Sequence, residues 1–357
     1  MWPDRRLCDL LGVTHPIIQA PMAGSDTAAL AAAVTDAGGM GSRGCAEMTP
    51  EAFRVAWAET QALTGGALNV NFFAHARPKH DEQKAARARA LLTPFYMEFG
   101  LDGAPVAAAD TLFAFDEAMF DAVMEVRPPV VSFHFGLPEA RFVAALKEAG
   151  AVILCTATTP TEARDLEARG ADAVIAQGWE AGGHNGFYLT DRPAQIGTLA
   201  LVPQVVDAVS VPVIAAGGIA DGRGIAAALA LGAAGVQIGT AFLTCAEANV
   251  AAPRRAAMLT VGGGDTRMSK AFSGRPARAI VNRYMAAMEA HEDDLPDFPL
   301  LDGLTLPLDV ASAAAGSPDL MALLAGQAVG LNRQTTAAEL VETLVAETRA
   351  AMVRLAG

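Results

Sequence analysis

Pro212-Val-Ile-Ala-Ala-Gly-Gly-Ile219, followed by Gly235-Val-Gln-Ile-Gly-Thr240, is the pair of segments that decides the fold. Each is a short apolar run that enters a glycine turn, and residues 222–231 between them read as a helix. Strand, glycine turn, helix, strand, glycine turn is the repeating unit of a parallel α/β sheet. The same rhythm extends towards the N-terminus. Strands are predicted at 16–22, 39–42, 67–73, 130–133, 151–156 and 173–177, which makes eight with the two quoted. Helices are predicted between them, among them an Ala-rich one capped by Asp26 or Thr27 and others at 50–61, 110–126, 139–150 and 201–209. Eight strands alternating with helices over about 250 residues predict a closed (β/α)8 TIM barrel. A doubly wound open sheet is the competing fold. It is set aside because no G-x-G-x-x-G follows the first strand.

Residues 75–103 interrupt the rhythm with a charged insertion carrying a Lys-, Arg- and Ala-rich helix. After Thr244 the rhythm stops. Helices are expected at 247–260 and 281–290, with a glycine turn at 262–265, a basic loop at 273–278 and a Pro-rich irregular stretch at 296–307. The expected organisation is therefore a barrel domain over 1–246, a smaller, mostly helical lid subdomain over 247–330, and a C-terminal helix over 331–357. Thr336 and Glu339 form a capping box at the start of that helix. Leu340, Leu344, Thr348, Met352 and Leu355 recur at helical spacing and are expected to pack on the barrel.

The chain of 357 residues is 52% hydrophobic, enough for a large core, and carries a net charge of −13. Nucleic acid and anionic membranes are disfavoured as partners, since both require a basic surface. Residues 224–245 are read as helix, turn and strand rather than a membrane span, because Ala and Gly insert weakly. The four cysteines are far apart and no C-x-x-C occurs, so neither a zinc site nor a disulfide framework is expected. With no apolar leader near Met1, a cytoplasmic location is expected.

In such a barrel the C-terminal strand ends converge on the active site. Pro21 and Met22, Asn69 and Asn71, His134, Gln177, Gly217-Gly218 and Gly239-Thr240 all fall there. Two glycine turns at adjacent strand ends point to a phosphate held by backbone N–H groups and the Thr240 hydroxyl; bare turns are the alternative. Asn69 and Asn71 share one strand face, suited to a ligand or to loop backbone. Gln177-Gly-Trp-Glu-Ala-Gly-Gly-His-Asn-Gly186 is a glycine-rich loop leaving the sixth strand. His184 within it is the leading base candidate and His134 the second, with loop hydrogen bonding as the other role open to each. Glu180 is expected to orient the loop rather than react, and His15 is expected to be structural. His75 and His80 lack a third ligand for a metal.

Gln19-Ala-Pro-Met22, Ala176-Gln-Gly-Trp-Glu-Ala-Gly-Gly-His184, Ala215-Ala-Gly-Gly-Ile219 and Gln237-Ile-Gly-Thr240 together resemble the FMN-dependent nitronate monooxygenases, formerly called 2-nitropropane dioxygenases. Phe272-Ser-Gly-Arg-Pro-Ala-Arg278 and Leu324-Ala-Gly-Gln327 fit as well, and Ser132-Phe-His-Phe-Gly136 resembles the bacterial-type branch. The resemblance implies non-covalent FMN on Ala20, Pro21, Met22, Asn69, Gln177, Gly182, Gly183, Gly217, Gly218, Gln237, Gly239 and Thr240. It implies oxidation of a small anionic nitronate, or of a nitroalkane deprotonated by His184, by O2 to a carbonyl compound and nitrite, in a monomer or homodimer. FMN-dependent NAD(P)H reductases of the enoyl-acyl-carrier-protein or quinone type share the pattern, and a non-catalytic flavin-binding protein is a further alternative. Two positions depart from the family pattern: Asn185, where a basic residue is expected, and 298–303, where polar and aromatic side chains are expected over the flavin.

Overall fold

The computed structural model describes residues 2–105 and 111–356, with the side chain of Ala356 excepted. Eight parallel strands form the central sheet: β1 (Ile17–Gln19), β2 (Gly41–Gly44), β3 (Leu68–Phe73), β4 (Val130–His134), β5 (Val152–Ala157), β6 (Ala173–Gln177), β8 (Val213–Ala216) and β9 (Gly235–Ile238). Their order is β1-β9-β8-β6-β5-β4-β3-β2. The ends meet through a parallel bridge between Ile18 and Met40, with Gln19 N–H donating to Met40 O at 2.9 Å and Met40 N–H to Ile17 O at 2.9 Å. The sheet thus closes into the predicted (β/α)8 barrel.

The lower interior is apolar, filled by Ile18, Met40, Val130, Leu154, Ala173 and Ile214. Leu7 and Leu11 of the helix Arg6–Leu11 join this cluster. Above it the inward positions turn polar. Gln19 accepts from Ser42 N–H at 2.8 Å, Asn69 donates to Ser42 Oγ at 2.9 Å, and Asn71 donates to Ser132 Oγ at 2.9 Å. Because side chains alternate along a strand, Val130, Ser132 and His134 share the inward face. That alternation carries His134 to the top of the barrel.

Local signals explain the surrounding helices. Thr27, Thr49 and Thr159 each accept a backbone N–H at a helix start. Asp26 does not cap. Its carboxylate accepts from Met22 N–H at 2.7 Å and Gly44 N–H at 2.8 Å, and pairs with Arg43 at 3.0 Å, tying the β1 and β2 ends together. The capping box forms as expected, and Leu340, Leu344 and Thr348 of Ala337–Ala356 are buried. Leu355 is exposed, because the last turn extends beyond the surface that the helix covers.

Beyond the barrel the structure differs from expectation in three places. The region after Thr244 contributes two strands, β10 (Thr266–Ser269) and β11 (Ala277–Ile280), to a three-stranded antiparallel sheet whose third strand is β7 (Gly183–His184), from the loop after β6. Part of the expected basic loop is therefore strand, and Arg278 is buried. The Pro-rich stretch contains the start of a helix, Asp302–Ala314, which tolerates Pro307 because Leu304, Thr305 and Leu308 are buried on one side. The expected helix 110–126 begins at Glu117, capped by Asp116; position 110 lies outside the described residues. The insertion helix Glu82–Glu98 buries Ala88, Leu92 and Tyr96 in one core with Phe272, Tyr284, Leu301 and Leu308. The insertion thus shares a core with the segment after Thr244. Among the described residues no helix is long and apolar enough to cross a membrane.

Candidate active site

A cavity of about 250 Å³ occupies the C-terminal mouth of the barrel. Ile175 and Ala216 reach it from the apolar core below. Ala20, Pro21, Met22, Gln177, Gly182, Gly183, Gly217, Gly218, Gln237, Gly239, Thr240, His134 and His184 all line it. Asn69 does not. It lies one inward position below Asn71, which does line the cavity. Phe73, Thr156 and Arg254 are further lining residues that the sequence reading missed.

One wall is built of glycine turns. Gly217 and Gly218 adopt φ of 106° and 70°, a conformation that side chains rarely take. A Cβ on Gly182 would lie 2.5 Å from Gly326 N, so this loop closes on backbone. Glu180 fixes the loop from outside, accepting from Thr198 N–H at 2.8 Å and Thr198 Oγ at 2.9 Å, while its carbonyl accepts from Gln327 N–H at 2.9 Å. It orients the loop, as its position suggested. Thr240 Oγ accepts from Gly326 N–H at 2.9 Å, leaving its own proton to donate. Gln237 Oε1 is buried without a partner.

The other wall carries the histidines. His134 Nε2 lies 3.1 Å from the His184 carbonyl oxygen, which can only accept, so Nε2 bears the proton. Nδ1 then accepts from Thr156 Oγ at 3.1 Å. The His184 carbonyl also accepts from Gln177 Nε2 at 3.0 Å, and Gln177 Oε1 accepts from Gly186 N–H at 2.8 Å. A Cβ on Gly186 would sit 2.7 Å from His134 Cε1, so glycine is required there. His184 Nε2 meets Ser273 Oγ at 2.7 Å. Burial pushes His134 down to about 4 despite its carbonyl partner. Burial, and then the neighbouring His134, Arg275 and His75, push His184 down to about 3. Both rings are neutral at physiological pH.

Aromatic rings close this wall. The Phe298 ring lies 5.2 Å from His184 and 5.0 Å from His75, and Phe73 and Phe135 pack alongside. The stretch 298–303 therefore does supply an aromatic ring beside His184. Asn185 is buried, with Oδ1 unpartnered. His75 sits within the aromatic cluster, whereas His15 packs on Trp2, which donates to its Nδ1 at 3.3 Å. No group of three potential metal ligands occurs among the described residues.

A closed parallel barrel with two half-buried histidines and glycine turns around one cavity at its C-terminal mouth defines an enzyme of the (β/α)8 class. The nitronate monooxygenase family model matches residues 4–347. A nitronate monooxygenase from Pseudomonas aeruginosa is 44% identical over 96% of this chain and 99% of its own length. One from Paraburkholderia phytofirmans is 42% identical over 98% and 97%. Among solved structures, a nitroalkane oxidase from Streptomyces ansochromogenes superposes with a TM-score of 0.88 at 40% identity, covering 98% of this chain and 99% of its own. FabK from Thermotoga maritima gives 0.79 at 29% identity, covering 100% and 99%. The chain belongs to the nitronate monooxygenase family and is an oxidoreductase.

Proposed function

We propose that this chain oxidises alkyl nitronates with O2 to a carbonyl compound and nitrite, using non-covalent FMN. The residues present fit that cofactor. The N–H groups of the Gly217-Gly218 and Gly239-Thr240 turns and the Thr240 hydroxyl suit its phosphate. Ala20, Pro21, Met22, Gln177, Gly182 and Gly183 would border its ribityl chain and ring. A Cβ on Gly183 would meet nothing within 4 Å, so that loop leaves room for a ring. Gln237 Oε1 is an orphaned acceptor of the kind a flavin N–H satisfies. Asn71, which reaches the cavity, takes the part expected of Asn69. When bound, FMN supplies the redox centre between substrate and O2.

The observation that carries this reading is the pair of half-buried, neutral histidines facing the cavity. A nitronate is already deprotonated at carbon and asks for no strong base. It needs an enclosed site with a fixed hydrogen-bond arrangement. His134, with its Nε2 proton engaged by the His184 carbonyl, orients the loop and the substrate pocket. His184, unprotonated and held by Ser273, is the group placed to take the α-proton of a neutral nitroalkane. Its depressed basicity makes the nitronate the better substrate.

The test is to purify the protein, identify extracted flavin and titrate the bound flavin anaerobically. Bleaching by propane-2-nitronate, reversed by air with nitrite released, is expected. A colourless protein that takes up no flavin overturns the reading. Bleaching by NADH or NADPH alone selects a nicotinamide-dependent reductase, and failure of every donor selects a flavin-binding protein without turnover.

A further inference from the structure

Arg275 is a cation with an unusual setting. Its guanidinium carbon lies 4.1 Å from the centre of the Phe135 ring and 4.3 Å from that of Phe187. It donates to the Phe187 carbonyl and, at 3.5 Å, approaches the Asn185 carbonyl. Among the described residues no carboxylate forms an ion pair with it. Glu162 is the acid whose charge it senses. That carboxylate already accepts from Thr158 N–H at 2.7 Å, Thr158 Oγ at 2.7 Å and Tyr188 N–H at 2.9 Å. By contrast Arg254, which lines the cavity, is paired with Asp309 at 3.2 Å.

The sandwich also touches both histidine-bearing segments. Phe135 follows His134, and its ring centre is 4.4 Å from His134 and 6.0 Å from His184. Phe135 has φ of 70°, a left-handed conformation that is costly for a bulky side chain and persists only where packing holds it. Arg275 lies across that ring and bonds the strand–loop segment that follows His184. Its charge is therefore within about 10 Å of both imidazoles, which are themselves uncharged, in a region with little water to screen it.

We propose that Arg275 is a specificity-determining residue: an unpaired guanidinium clamped behind the histidine pair, it makes the pocket favour a nitronate anion over the neutral nitroalkane of the same carbon skeleton. This rests on the nitronate reading for its substrate. A nitronate is an anion before it binds, so for that substrate the attraction appears in binding. At this separation and partial burial it is worth roughly tenfold.

The experiment compares wild type with R275M, R275K and F187L. With R275M the KM for propane-2-nitronate is expected to rise about tenfold, with kcat within about twofold, while the KM for neutral 2-nitropropane stays within about twofold; its kcat is free to change, because Arg275 also lowers the basicity of His184. R275K, which restores the charge, is expected to return KM to within about threefold. An equal rise in KM for both substrates, or an R275K enzyme whose nitronate KM is as high as that of R275M, overturns the proposal. F187L keeps the charge and loses one stacked face, so its nitronate KM is expected to stay within about twofold. A tenfold rise there overturns the proposal whether or not R275M folds. Calorimetric binding of nitrate, an unreactive planar anion, separates this claim from the activity. If wild type turns over no nitronate yet binds nitrate about tenfold more tightly than R275M, the charge role stands and the substrate reading falls. Equal nitrate affinity overturns the charge role itself.

Discussion

Gly217, Gly218, Gly239 and Thr240 follow directly on the strands that end at Ala216 and Ile238, so barrel geometry alone sets one wall of the cavity. The facing wall is gathered from afar. His184 meets Ser273 across 89 residues of sequence, and Phe298 packs on it from still further along the chain. The first wall uses backbone groups and suits a constant ligand. The second adds Ser273 and Phe298 from the appended unit to histidines held by the barrel, and suits the variable part of the chemistry. In a barrel, the part shared between chemistries is held by the strands and the part that differs is delivered by insertions.

If the two walls have separate duties, they can be broken separately. The largest expected effect is on the histidine wall. His184→Asn should lower turnover of 2-nitropropane by about 10²- to 10⁴-fold, the scale of a lost general base, while propane-2-nitronate turnover falls less than tenfold. Steady-state rates on the two substrates decide this, and equal losses would remove His184 as the base. Next comes the scaffold beneath the glycine wall. Asp26→Ala strands the buried Arg43 and frees the β1 and β2 ends, and should cost about 3–5 kcal/mol in urea unfolding.

A matched glycine pair sharpens the comparison at smaller cost. Gly182→Ala drives a Cβ into the backbone at Gly326, and should weaken FMN binding about 10- to 100-fold, read by fluorescence quenching. Gly186→Ala pushes on His134 instead, and should spare FMN affinity while lowering kcat by a similar factor. If both variants lose flavin alike, the division of labour is wrong. A last effect is on stability against pH. His134 at about 4 and His184 at about 3 stand below the 6.5 of a free imidazole. Between pH 6.5 and 4 the unfolded chain takes up protons that the folded chain refuses, so stability falls as pH drops. The urea midpoint should be lower at pH 5 than at pH 7, and His184→Asn should make that slope shallower.

The barrel was legible because most of its strands announce themselves locally as short apolar runs that lead into a turn or a helix cap; β2, Gly41–Gly44, is an exception. Pro50–Gln61 and Ala173–Gln177 are predicted to the residue, and the glycine turns and both histidines were found as candidates from strand ends alone. What escaped depends on contacts distant in sequence. Asn69 and Asn71 share a face, and only the closed barrel reveals which of them stands at the mouth. Arg275 and Arg278 read as a basic loop because nothing nearby tells that Phe135, Phe187 and Trp179 will cover them. The helix Asp302–Ala314 was hidden by Pro307, whose local preference is outweighed by burial of Leu304 and Leu308.

The two-residue strand β7 pairs His184 with Ala277 and Gly183 with Arg278. The active-site loop is thus an edge of the second sheet as well as an exit from the barrel. No cut in the chain separates the units without unravelling the histidine's own support. The appended unit is therefore not an interchangeable module: exchanging Ala277–Ile280 for a relative's strand also exchanges the backbone partner of Gly183 and His184.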